Sequence, residues 1–158
     1  MSGKVGIIKV GGATEVEVKE IKDRLDDAIN ATRHALEEGI VIGGGSALLY
    51  ASLKLKGIEM ENFDQNHGLK IVQKALEAPC RKIVQNSGYE GSVVVQKLIN
   101  DNNLSQGYDA YNDTYVNMFE RGIIDPTKVV RTALVDAASI ASLMITTETA
   151  IVELPKKE

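Results

Sequence analysis

The sequence has a single cysteine, Cys80, in 158 residues. That excludes an intramolecular disulfide framework and a metal cage built from thiolates alone, and it fits a reducing compartment. Cys80 therefore reads as an inert packing residue. A basic block is missing too: 18 Lys and Arg are interleaved with 22 Asp and Glu, for a net charge of -4. Binding to a phosphate backbone depends on clustered positive charge, so the pattern points away from nucleic acid as a partner. No apolar run reaches 18 residues, so the pattern suggests no membrane crossing. The opening Met1-Ser2-Gly3-Lys4 lacks the basic, apolar and small-residue succession of a secretion signal. The two histidines, His34 and His67, lie on different segments without a ligand-spaced partner, so no metal site is expected. Nor is there a plausible Ser/His/Asp set or an activated cysteine.

What is present suits a packed domain. With 44% hydrophobic and 25% charged residues, a chain of this size buries roughly two-thirds of its unfolded surface. Val5, Ile7, Ile8 and Val10 make a short β-rich run closed by Gly11-Gly12. Because the chain opens inside this run, the expectation is that it continues something longer. Thr14 with Glu17 has capping-box spacing, and Val18, Ile21, Leu25, Ala28, Thr32 and Ala35 recur at helical intervals until Gly39. The stripe is one side wide, so this long helix lies on a surface. After Ile40 to Ile42 come Gly43-Gly44-Gly45 and a helix over 46–56, then a loop over 57–62. A third helix over 64–78 meets Pro79, which should break or kink it before a helical stretch over 80–86. Residues 92–99 read as helix, despite Val93-Val94-Val95, because Leu98 and Ile99 extend the helical spacing. The stretch from Asp101 to Tyr115 is rich in turn formers and long enough to be a functional loop. Asp125-Pro126-Thr127 reads as a helix start, with Asp125 as N-cap and Pro126 at the first helical position. Ala150 to Leu154 reads as a terminal strand ended by Pro155. The two terminal strands have no partner within the sequence, so partners from elsewhere are expected.

Three features carry possible chemistry. Gly43-Gly44-Gly45 before a helix offers backbone N–H groups to an anion, but it lacks the Lys-Ser/Thr ending of a Walker loop and the spacing of a dinucleotide fingerprint. It fits a phosphate contact or simply a packing turn. Asp26-Asp27 sits mid-helix, with Asp27 about 200° around from Leu25, on a face shared with Glu20, Asp23, Asn30 and His34. A solvated face explains it, and so does an aspartate that orients or deprotonates an attacking water beside a metal-bound nucleotide. Asp125 is explained by capping alone.

These residues sit in runs that resemble the group I chaperonin large subunits, bacterial and organellar. The runs are Lys9-Val10-Gly11-Gly12-Ala13-Thr14-Glu15-Val16-Glu17, Asp27-Ala28, Ala31-Thr32-Arg33, Glu37-Glu38-Gly39 and Gly43-Gly44-Gly45. Gly107-Tyr108-Asp109-Ala110 and the block from Gly122 to Leu134 follow in the family's order, covering nearly the whole chain. The resemblance implies a mainly α fold: the C-terminal half of a helical equatorial domain over 40–158, plus an intermediate-domain strand and long helix over 1–39, with Gly39 as the lower hinge. It implies a C-terminal piece of a subunit that hydrolyses ATP to fold non-native protein inside a ring. Asp27 matches the catalytic aspartate that promotes water attack. Gly44 matches a backbone contact to the nucleotide, Asp109, Ala110 and Ile123 the base-binding wall, and Asp125 the ribose-binding acid.

The implied cofactor is ATP or ADP with Mg²⁺, whose metal ligand and main phosphate loop belong to an N-terminal half that is absent here. Implied partners are sister subunits in a ring, reached through the 150–154 strand, with co-chaperonin and unfolded clients held by the missing apical domain. Gly3-Lys4 departs from the family's usual glycine pair at the upper hinge. Gly107 to Ala110, Val116-Asn117-Met118 and Lys128 to Leu134 look most like mitochondrial members, which implies the mitochondrial matrix, with bacterial cytoplasm or plastid as alternatives. A stand-alone helical interaction module, without nucleotide binding, and a self-sufficient small ATPase are the competing readings.

Overall fold

A computed structural model describes residues 6–153, and they are mainly helical. In chain order the elements are α1 (Glu15–Glu38), β1 (Ile40–Ile42), α2 (Ser46–Lys54), α3 (Phe63–Leu76), α4 (Ala78–Asn86), α5 (Gly91–Asp101), β2 (Gln106–Asp109), β3 (Thr114–Asn117), α6 (Met118–Arg121), β4 (Ile124–Pro126) and α7 (Thr127–Thr146). They form two compact units, one of residues 39–126 and one of residues 1–38 with 127–158.

In the second of these, α1 and α7 pair. The start of α1 is a capping box, offset by one residue. The Thr14 hydroxyl accepts from the Glu17 amide at 3.2 Å, while the Glu17 carboxylate accepts from the Ala13 amide, not that of Thr14, at 2.7 Å. The half-buried stripe of α1 runs through Val18, Ile21, Leu25, Ile29 and Ala35. Ala28 and Thr32, expected on it, are exposed. The ends of the two helices are tied by ion pairs, Lys128 to Glu37 and Arg131 to Glu38, the latter bidentate at 2.6 and 3.1 Å.

Helix α7 is long and apolar enough, by length and composition alone, to cross a membrane, with a mean hydropathy of 1.5 over its best window. The sequence reading, which looked for an unbroken run, had offered no such segment. Its helical stripe carries Arg131 and Asp136 among the apolar residues, and Arg131 is held by Glu38, as suits a helix that packs against protein.

The unit of residues 39–126 holds the core. Leu49, Cys80, Val84, Val94, Val95, Leu98 and Tyr108 form one buried cluster, and Ile42, Tyr50 and Met118 a second. Helices α4 and α5 pack on each other and on α2. Pro79 acts as expected: α3 stops at Leu76, Glu77 is the joint, and α4 restarts with the proline in its first turn, where its missing N–H costs nothing. Residues 91–101 are helical, as the spacing of Leu98 and Ile99 indicated.

Four expectations are corrected. The 101–115 stretch is not an open loop but contains half of a hairpin, β2 pairing antiparallel with β3 from Gln106↔Asn117 to Asp109↔Thr114. Asp125 does not cap a helix. It lies in β4, opposite Val41 of β1, and α7 begins only at Thr127. Residues 6–10, the intermediate-domain strand of the sequence reading, form no strand. Neither do residues 150–153. Extended segments need a partner's N–H and C=O groups, and among the described residues neither segment finds them. Val5, Leu154, Pro155 and the Gly3-Lys4 departure lie outside the described residues.

Candidate functional site

Around Met118, which is wholly buried, residues distant in sequence meet. Strand β1 brings the glycine run to the place through its antiparallel pairing with β4, in which Ile42 faces Ile124 and Val41 faces Asp125. The ladder continues one step, since the Gly43 amide donates to the Ile123 carbonyl at 2.9 Å. Met118 closes the other side: its carbonyl accepts from the Ile123 amide at 2.9 Å, and its amide donates to Ser105. A Cβ on Gly107 would lie 2.6 Å from the Met118 side chain, so only glycine lets the hairpin approach this closely.

Gly44 and Gly45 both have left-handed backbone, φ 63° and 73°. A Cβ on Gly44 would stand 3.1 Å from the Met118 methyl and 3.8 Å from the Tyr108 carbonyl oxygen. One on Gly45 would fall 2.5 Å from the Cys80 amide nitrogen, so the run is a close crossing of backbones. It is also the N-terminus of α2, capped by no side chain. The packing reading thus holds for Gly45, while the uncapped α2 N-terminus leaves the anion reading open. Ser46, fully buried, has no hydrogen-bond partner of good geometry, its polar neighbour being the Cys80 thiol, which burial pushes up to about 11.

The hairpin supplies Asp109 and Ala110. The Asp109 carboxylate is absorbed by its own turn: Oδ1 accepts from the Tyr111 and Asn112 amides at 3.1 and 3.2 Å, and Oδ2 accepts from the Asn112 side chain at 2.8 Å. These bonds hold the carboxyl below its ordinary range. Arg121 stands 3.9 Å away. Ala110 and Ile123 are half-buried, Ala110 against the larger core cluster and Ile123 against the Met118 cluster. Asp125 is half-buried, and burial raises its carboxyl above the ordinary value.

Gly44, Asp109, Ala110, Ile123 and Asp125 therefore share one unit, joined through Met118 and the two short ladders. Asp27 belongs to the other unit, exposed on α1. Sequence reasoning missed Met118, Tyr108 and Arg121. Gly107, a glycine inside a strand, was the available sign of a close approach, and Met118 is what it approaches. Among the described residues no three His, Cys, Asp or Glu side chains gather as metal ligands. What these residues offer chemically is two small residues, Gly44 and Ala110, the apolar Ile123 and a half-buried acid, Asp125, groups of the kind that a base and a ribose can use.

The residue runs and the helical fold define a chaperonin-type chain. The family model described as TCP-1/cpn60 chaperonin matches residues 1–155, and the chain belongs to that family. It is 58% identical over all 158 residues to the mitochondrial chaperonins CPN60-2 and CPN60-1 of Zea mays, spanning 27% of the length of each. It is similar in fold to the crystal structure of a group III chaperonin in the open state, with a TM-score of 0.77 and 25% sequence identity, over 90% of this chain and 30% of that one.

Proposed function

We propose that this chain is the part of an ATP-dependent, ring-forming chaperonin subunit that carries the base and ribose contacts and the hydrolytic aspartate. The observation that carries the reading is that Gly44 and Ile123 meet at the buried Met118, which Gly107 of the Asp109-Ala110 hairpin also approaches, with Asp125 following Ile123 on the strand paired with β1. In this reading the α2 N-terminus and the Gly44 backbone face a phosphate oxygen. Ala110 and Ile123 flank the base, and Asp125 accepts from the ribose hydroxyls through oxygens that no cap occupies. Asp109, its oxygens taken by the turn, supports the wall through that turn. Bound ATP with Mg²⁺ supplies the transferable phosphoryl group. Asp27, exposed and free to receive a partner, orients or deprotonates the attacking water.

The names of the maize relatives support the mitochondrial matrix as the compartment. The intermediate-domain and equatorial division, at Gly39, is kept as part of this proposal. The apolar side of α7, with Ile140, Leu143 and Met144 all more than half exposed, supports its packing against parts of the assembly that this chain does not contain. The same holds for Ile151 and Val152, nearly fully exposed, as ring contacts. A stand-alone interaction module has no use for an acid, two left-handed glycines and a pinned turn at one place. The purified chain is expected to show negligible Mg²⁺-dependent ATP turnover, lacking the main phosphate loop. Appreciable turnover abolished by Asp27→Ala would show that the hydrolytic site is complete within these 158 residues and overturn this division of labour.

A further inference from the structure

The β1–β4 ladder has two outer edges, and they differ. The Gly43 amide donates to the Ile123 carbonyl, and main-chain groups in an antiparallel pair alternate between facing the partner strand and facing away. Val41, two residues earlier, therefore turns its N–H and C=O toward Asp125, while Ile40 and Ile42 turn theirs outward. Among the described residues neither of these two main chains bonds to anything outside the ladder. The same alternation places Pro126, opposite Ile40, on the outer edge of β4, where it has no N–H to offer. The β4 edge is thus blunted and the β1 edge is open.

The open strand lies against a groove. A cavity of about 340 Å³ is lined by all of β1, by the face of α2 that carries Tyr50 and Lys54, and by Leu104 and Phe119. A second, of about 440 Å³, shares Tyr50, Lys54 and Leu104 with it and adds Lys56 and Asn102. Ile40, Leu104 and Phe119 are each about half exposed, an apolar lining without cover. Lys54 and Lys56 are the charged side chains of the two cavities, and among the described residues neither has a carboxylate partner.

We propose that this groove takes an extended acidic peptide segment of a partner protein, which adds to β1 as a third strand. Its main chain pairs with Ile40 and Ile42, its apolar side chains lie against Leu104 and Phe119, and its carboxylates meet Lys54 and Lys56. A small apolar ligand would leave the open main-chain groups unpaired, which favours a peptide. Alternating apolar and acidic residues suit it, since successive side chains of a strand point to opposite faces.

The probe is an acetylated, amidated heptapeptide of alternating glutamate and valine, titrated into the isotope-labelled chain and followed by amide NMR. Saturable shifts are expected at Ile40 to Ile42, Tyr50, Lys54 and Leu104. Of two versions of the peptide, N-methylated at the glutamates or at the valines, at least one should lose binding, because one set of amides faces β1. Reversing both exposed charges, Lys54→Glu with Lys56→Glu, should weaken the glutamate peptide about fivefold or more and shift preference to a lysine–valine peptide. No saturable binding by the wild-type chain, shifts away from the groove, binding that both N-methylated peptides keep, or binding that charge reversal leaves unchanged would overturn the proposal. The same shifts appearing without peptide as the chain is concentrated would also overturn it, by making a second copy of the chain the occupant.

Discussion

Gly45 meets the Cys80 backbone at a distance no side chain tolerates. Gly45→Ala is expected to destabilise the 39–126 unit by about 2–4 kcal/mol, combining overpacking against main chain with left-handed strain. Gly57→Ala isolates the second effect, since Gly57 has φ 85° with open space around it, and should cost about 1 kcal/mol. Urea unfolding of both variants checks the difference. Asp125 carries a different trade. Because burial raises its folded value above the ordinary 3.8, the folded state holds the proton longer than the unfolded state. The group's contribution to stability therefore falls as pH rises through that window and stays unfavourable at neutral pH. Asp125→Asn should then melt higher than wild type near neutrality while losing nucleotide affinity. A lower melting temperature would mean that the carboxylate is a structural group. The local place of Asp125 was not legible in the sequence. Asp-Pro-Thr has the signature of a helix start, whereas the backbone uses Asp125 as a strand residue and delays the helix to Thr127.

At the scale of elements, the longer helices were legible, and the one-turn α6 and the short strands were not. Thr14 with Glu17, Pro79 after Leu76, and Leu98 with Ile99 are local signals, and each element they announced formed. Strands β1 and β4 have three residues each and pair across a long stretch of chain, so no local pattern announces them. Strands β2 and β3 contain Gly107, Asp109 and Asn117, poor strand formers. Their pairing rests instead on Tyr108 against Tyr115 and on Gly107 against Met118. Leu98, fully buried where α5 meets the core, gives a direct test of that packing: Leu98→Ala should cost about 2–5 kcal/mol in chemical unfolding. The α1–α7 pair is tested by acid. Glu37 is held below its ordinary 4.5 by hydrogen bonding from Lys128, and Glu38 by hydrogen bonding from Arg131. Unfolded carboxylates take up protons first as pH falls. The stabilisation is therefore complete above the ordinary value and is lost as pH drops through the lower folded values. The gap in melting temperature between wild type and Glu38→Gln should be largest at neutral pH, close in acid, and shrink in high salt.

The whole molecule spans about a quarter of the curated relatives it matches, and its chemistry divides accordingly. The role proposed for Asp27 comes only from the family resemblance, since an exposed acid on a polar helix face has no physical mark of its own. That Gly44, Ile123 and Asp125 share one place was not legible in the sequence, because Met118 and the β1–β4 ladder bring them together. In the proposed site these residues recognise base and ribose, while the phosphates meet only the α2 N-terminus and Gly44 and so contribute little. Adenosine should therefore bind this chain nearly as well as ATP, at roughly millimolar strength or somewhat tighter, about -4 to -5 kcal/mol. Calorimetric titration with adenosine and with ATP, on wild type and Asp125→Ala, measures this most directly. Comparable saturable binding of both ligands, lost in Asp125→Ala, is the predicted result. Binding of neither ligand, or binding that Asp125→Ala leaves intact, would contradict the claim.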